Sequence, residues 1–106
     1  MRFRYEKELV LQLPASSIRD YDTLIELEKS IATRLGTLGE VDGHDMGMGE
    51  TNIFIRTDQP TVAFEKVKRL LGTRDFMPDL KAAYRDVGKD DFTILHPHGL
   101  RSFKIA

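Results

Sequence analysis

From residue 3 to residue 13, "FRYEKELVLQL", apolar and polar positions alternate. Phe3, Tyr5, Leu9, Leu11 and Leu13 share one side, with Lys7 interrupting. Arg2, Arg4, Glu6, Glu8 and Gln12 share the other. A period of two predicts a half-buried strand. Pro14 has no N–H to give to a ladder and ends it. From residue 20 to 35 the period changes. Leu24, Leu27, Ile31 and Leu35 step by three and four, and Tyr21, Ile25 and Ala32 widen the stripe. That spacing predicts an amphipathic helix, capped by Ser17 or Asp20 and ended at Gly36, where a left-handed residue commonly stops a helix.

Two strands follow, 38–48 and 51–57, joined near Gly47–Gly49. In the second, Ile53 and Ile55 face one way and Asn52, Phe54 and Arg56 the other. "TDQP" starts a second helix, with Thr57 or Asp58 as its cap and Pro60 in its first turn. Its stripe is Ala63, Phe64, Val67, Leu70 and Leu71, and Gly72 ends it. "LKAAYRDV" reads as a fourth strand, "GKDD" as a turn and "FTILHP" as a short fifth strand. The tail "HGLRSFKIA" offers Leu100, Phe103 and Ile105 as anchors.

The order is β-α-β-β-α-β with a C-terminal extension. It predicts a single α+β domain over residues 1–106, of the ferredoxin-like or split βαβ plan. One antiparallel sheet then carries both helices on one face. The other face is either solvated or covered by a further element, and it is the first candidate for a binding surface. The plan itself hosts many unrelated activities and assigns none.

Charge changes this picture only by subtraction. The 106 residues are 31% charged, yet the net charge is −1. A nucleic-acid binder usually carries a clear basic excess, so nucleic acid is not an expected partner. No polybasic segment or long apolar run points to a membrane. There are no cysteines, which removes disulfides, thiolate metal sites and thiol nucleophiles. A cytoplasmic setting is the expectation.

The densest candidate chemistry lies in "VDGHDMGMGE", residues 41–50. Asp42, His44, Asp45 and Glu50, with Glu40, offer oxygen and nitrogen donors of the kind a divalent ion takes. The spacing lacks the D-x-[DN]-x-[DN]-G pattern of a calcium loop. On a regular strand, moreover, Asp42 and His44 share a face while Asp45 points to the opposite one, which splits the donors. No metal and no cofactor are therefore expected. "GMGET" is followed by a strand rather than a helix, so it does not make a phosphate loop. The stretch reads as a hairpin tip, in which glycines serve the turn and a bulge. Met46 and Met48, spaced by two, offer there either an exposed adaptable strip or core filler.

Elsewhere the chemistry is sparse. His96 and His98 in "HPH" lack a third ligand. Ser16 and Ser17 lack a nucleophile elbow. Arg85, Asp86, Lys89, Asp90 and Asp91 read as surface charge. Lys66, Lys68, Arg69 and Arg74 give the second helix a basic face opposite in sign to the hairpin.

Several families share the element order. "LVLQLP" and "TNIFIRT" sit where RNA-recognition motifs carry their two signature strands. That resemblance implies aromatic rings that stack bases. Phe54 matches one such position, but Val10 and Asn52 occupy two others, and Glu50 and Thr51 replace the basic residue and glycine that open the third-strand motif. Acylphosphatases resemble the chain in length and plan, and Arg19 and Asn52 resemble their phosphate-binding arginine and water-positioning asparagine. Their V-Q-G-V-x-F-R loop is absent from "LQLPASSIRD". Dimeric α+β barrels are similar in architecture, pack two sheets face to face, and include small oxygenases and isomerases.

"DGHDMGMGETNIFIRTDQP", then "AFEKVKRLL" and "YRDVGKDDFTILHP", resemble a group of small bacterial proteins with no assigned activity. This likeness covers most of the chain and implies the fold and a bacterial, cytoplasmic setting, but no catalytic residues. The leading expectation is a non-enzymatic binding or assembly module. It uses the open sheet face or the 41–50 hairpin, through Asn52, Phe54, Arg56, Met46 and Met48, toward a protein partner or a second copy. The rival is a small enzyme or ligand binder with a pocket between sheet and helices, using Asn52, Arg56 and His44. An RNA-binding domain of degenerate type is a third.

Overall fold

A computed structural model describes residues 5–105. Arg2, Phe3 and Arg4, assigned above to the first strand, lie outside the described residues. The elements run β1 (Lys7–Pro14), α1 (Tyr21–Leu35), β2 (Gly39–Gly47), β3 (Glu50–Thr57), α2 (Pro60–Thr73), β4 (Lys81–Asp86) and β5 (Thr93–His96). The fold is α+β. One five-stranded sheet has the order β2-β3-β1-β4-β5, and every adjacent pair is antiparallel.

The register sorts the side chains into two faces. Leu11 lies between Ile53 of β3 and Ala82 of β4; Leu9 lies between Ile55 and Tyr84. Against this face pack Leu24, Leu27, Ile31 and Leu35 of α1 and Ala63, Phe64, Val67 and Leu71 of α2, in one continuous core. The central positions of both stripes read from the sequence are buried, whereas the flanking Tyr21 and Ala32 are exposed and Ile25 and Leu70 half-buried.

Two local expectations need correction, and one pair of alternatives is decided. β1 is central and buried on both sides, not half-buried: Glu8, Val10 and Gln12 are as enclosed as the leucines between them. Its polar residues pair with neighbouring strands, which alternation alone does not reveal. Asp20, not Ser17, caps α1, accepting from the Thr23 N–H at 2.8 Å and the Thr23 hydroxyl at 2.7 Å. Neither Thr57 nor Asp58 caps α2; the residue before Pro60 is Gln59, whose side chain makes no capping bond. Thr57 instead donates its hydroxyl to the Leu38 carbonyl at 2.8 Å, and Asp58 accepts from the Glu6 N–H at 2.8 Å. Thr57 also accepts from the Gln59 N–H at 3.0 Å, steadying the entry to α2 without bonding an N–H within the helix.

The Thr23 hydroxyl and N–H bonded to Asp20 hold its carboxyl below the ordinary value of 3.8. A depressed carboxyl stabilises the fold fully above its unfolded value. That contribution is lost as pH falls through the lower folded value.

Candidate functional site

The 41–50 segment is the β2–β3 hairpin. Gly47 pairs with Glu50, leaving Met48 and Gly49 as a two-residue turn. Both have positive φ, 52° and 79°, the backbone that such tight hairpins require. Asn, Asp or Gly normally supplies the first of these positions. Here it is Met48, whose side chain is 83% exposed.

A bulge interrupts β2. Val41 pairs with Ile55 and Gly43 with Phe54, so Asp42 is the extra residue. A bulge moves the following side chains across the sheet relative to strict alternation. Asp42 therefore reaches Arg56 Nε at 3.4 Å, on the face away from the helices. His44 lies opposite Ile53 on the helix face, where its Nδ1 is 3.0 Å from Glu28 Oε1. Asp42 and His44 do not share a face, contrary to the strand reading, because the bulge reverses their relation. Asp45 lies opposite Asn52 and Glu50 opposite Gly47. Among the described residues, no three His, Asp or Glu side chains gather as a metal site would require.

The face away from the helices is not bare. Val10, Ala83 and Phe103 are buried together there, with Phe54, Phe92, Ile94 and Ile105 packed against them. Gln12 donates its Nε2 to the Lys104 carbonyl at 2.9 Å and to Asn52 Oδ1 at 2.9 Å. The C-terminal segment thus lies over the sheet, and Asn52 is buried beneath this cover. The expectation of an open face fails because the chain supplies its own lid. Its alternating Phe103 and Ile105 are the anchoring pattern of an extended strap.

Charge completes the same face. Glu8 is buried, with Oε1 2.9 Å from Arg85 Nη2 and Oε2 3.5 Å from Arg56 Nε. The Arg85 guanidinium sits 4.8 Å from the Phe92 ring centroid, close enough for a cation–π contact. Arg85 is therefore a partner within the sheet, not surface charge. Phe103 and Ile105 anchor the tail as the sequence predicts, whereas Glu8, Arg85 and Phe92 escaped the sequence reading as residues of this face. Their signal was the period-two spacing of Phe92 with Ile94, and the opposite charges on the polar sides of β1 and β4.

Of the five residues proposed as a binding surface, Asn52 and Arg56 are engaged in this face, and Phe54 is half-buried in its apolar cluster. Met46 and Met48 remain exposed. Met46, opposite Thr51, is on the helix side of the hairpin, as is His44. The Tyr21 ring meets the His44 ring edge-on, with centroids 5.8 Å apart. Tyr21 is 62% exposed and Met46 52%. The start of α1 and the hairpin end thus present Tyr21, His44, Met46 and Met48 at one corner.

The space between sheet and helices is filled by Leu9, Leu11, Leu24, Leu27, Ile31, Ile53, Ile55, Val67 and Leu71, each fully buried. His44 is on the opposite face from Asn52 and Arg56, so these three do not converge on one pocket. His96 lies with its ring 6.0 Å from that of Phe64, while His98 is exposed. Arg74, counted above in the basic face of α2, instead binds Glu26 of α1 at 2.8 Å.

No family model, curated protein or solved structure matches the chain.

Proposed function

We propose that this chain is a small non-enzymatic binding module that docks a partner protein through the β2–β3 hairpin tip and the start of α1. We also infer that its four central elements of sheet, β4-β1-β3-β2, are a ferredoxin-like arrangement to which β5 adds an edge strand. The docking reading rests on one observation above the others. Met48 occupies a left-handed turn position, where a side chain with a Cβ costs energy and Asn or Gly is the relaxed choice. The residue placed there is apolar and projects into solvent. Local rules are broken most often where function demands it.

Two features reinforce it. Among the described residues, four large apolar side chains are exposed: Tyr21, Met46, Met48 and Val62. Three of them are at this corner. Tyrosine and methionine are enriched at interfaces, where one offers a rigid amphipathic ring and the other an adaptable chain. The sheet face, by contrast, is already occupied by the C-terminal strap.

The test is capture from native lysate with the wild type and with Met46→Ser/Met48→Ser, both substitutions lying on exposed side chains. A stoichiometric protein held by the wild type and released by the variant supports the reading. Equal capture by both, or no protein held by the wild type, overturns it.

A further inference from the structure

We propose that the outer edge of β2, from Gly43 to Gly47, accepts an extended basic segment of the partner protein as an added strand. This rests on the docking reading above and names the chemistry of what docks.

The sheet ends at β2 on one side and β5 on the other. A terminal strand leaves every second pair of backbone N–H and C=O groups without a strand partner, which is the template for strand addition. The two edges differ. β5 has four residues and is followed at once by Pro97, so little ladder can form there. β2 has nine residues. Its bulge takes up the irregularity at Asp42, and from Gly43 to Gly47 the pairing with β3 is unbroken. That five-residue run contains no Pro, Lys or Arg; of the devices that blunt an edge, the bulge lies at its start and the one charge within it is Asp45.

Charge decides the occupant. Glu40, Asp42, Asp45 and Glu50 line the hairpin, and no Lys or Arg occurs between residues 35 and 55. Asp42 is engaged by Arg56. Asp45 and Glu50 make no side-chain hydrogen bond or ion pair among the described residues. Two copies of β2 laid side by side would set these acids against each other, which is destabilising for directly opposed like charges. A lysine- or arginine-bearing strand meets the opposite situation. Its basic residue lies beside Asp45 on one face of the sheet. Its apolar residue lies beside Met46 on the other, continuous with Tyr21 and His44. The segment that fits alternates basic and apolar residues with the period of a strand.

The experiment uses the full chain, labelled for amide detection, and three capped seven-residue peptides. One alternates lysine with valine, one alternates glutamate with valine, and the third is the lysine peptide N-methylated at alternate backbone nitrogens. Hydrogen exchange and amide shifts at Gly43–Gly47 are the readout. The lysine peptide is expected to slow exchange along this run, and the glutamate peptide to leave it unchanged. N-methylation should weaken binding roughly tenfold, the effect of losing one or two net hydrogen bonds. Asp45→Lys should abolish protection by the lysine peptide while leaving the melting temperature in place. Unchanged exchange with the lysine peptide, or equal binding by its N-methylated form, overturns strand addition.

The two readings fail separately. Loss of the captured partner in Met46→Ser/Met48→Ser, with no peptide effect at β2, keeps the docking corner and removes the strand. Protection of β2 by the peptide, with partner capture unaffected by the methionine changes, keeps the strand and removes the corner.

Discussion

On the helix side of the sheet, Leu9, Leu11, Ile53 and Ile55 meet two amphipathic helices, and the enclosed space is mainly aliphatic, with Phe64 and Phe76 among the buried residues. On the other side, Val10 and Ala83 meet Phe103 from a segment with no regular structure, flanked by Gln12, Asn52 and the Glu8–Arg85–Arg56 cluster. The first face is sealed by elements that cannot leave without unfolding the domain. The second is sealed by a segment of irregular chain held by Phe103, Ile105 and one hydrogen bond to Gln12. The same burial therefore means different things on the two sides. It is structural in one case and local in the other, and three of the four large apolar side chains exposed among the described residues stand at the corner beyond both seals.

Leu11→Ala probes the first seal. Leu11 is fully buried between two strands under the helices. Its truncation should cost about 2–5 kcal/mol, the transfer loss plus a cavity that rigid neighbours cannot close. Urea unfolding measures this as a lowered midpoint with little change in slope. A cost below about 1 kcal/mol would show that the helix side collapses as readily as the strap side.

Phe103→Ala probes the second. The strap can relax toward solvent, so the expected cost is the transfer value alone, about 1.5–3 kcal/mol. Amide exchange should accelerate in β4 and β5 while α1 and α2 keep their protection, as expected of local rather than global opening. Uniform acceleration through both helices would erase the distinction between the two faces.

Glu8→Gln addresses the charged part of the same face. Hydrogen bonds to charged groups contribute about 1.5–3 kcal/mol when buried. The Arg56 and Arg85 side chains keep 23% and 25% of their surface exposed, so they regain water in part. The expected loss is therefore nearer about 1 kcal/mol. The readout is a urea midpoint compared at low and high salt. A loss several times larger would mean that both guanidiniums stay dry and stranded.

The helix side was legible in the sequence because its rules are local. Leucines three and four apart predict a stripe, and alternation predicts the strand faces that receive it. The rest was not, for three physical reasons. A single extra residue at Asp42 inverts the side-chain faces around it, and no period of two reports an insertion. Thr57 and Asp58 look like caps, yet the Thr57 hydroxyl donates to Leu38 and accepts from the Gln59 N–H, and Asp58 accepts from Glu6, partners that cap no turn of α2. The strap's Phe103 and Ile105 alternate with Lys104 as a strand would, yet they form none, because they pack on side chains rather than on a sheet edge. Met46 and Met48 were legible as a strip for the opposite reason. A two-residue turn projects Met48 whatever lies elsewhere, and Met46 lies two residues before it near the end of β2.

The turn also supplies the smallest effect and the one that separates packing from purpose. Met48 has φ 52°, a conformation that costs an ordinary side chain roughly 1–2 kcal/mol. Asparagine tolerates it and is favoured before glycine in this turn. Met48→Asn should therefore raise stability by about 0.5–1 kcal/mol, part of that strain relieved, measured as a higher urea midpoint. The same substitution removes an exposed apolar side chain from the docking corner and should weaken partner capture. Stability gained with capture lost means that methionine is held there against the preference of the turn, for what it touches outside the chain. Stability gained with capture unchanged assigns the docking to Tyr21 and Met46 alone. No gain in stability means that the turn accommodates methionine without strain, and the principal support for the hairpin tip as the docking site is gone.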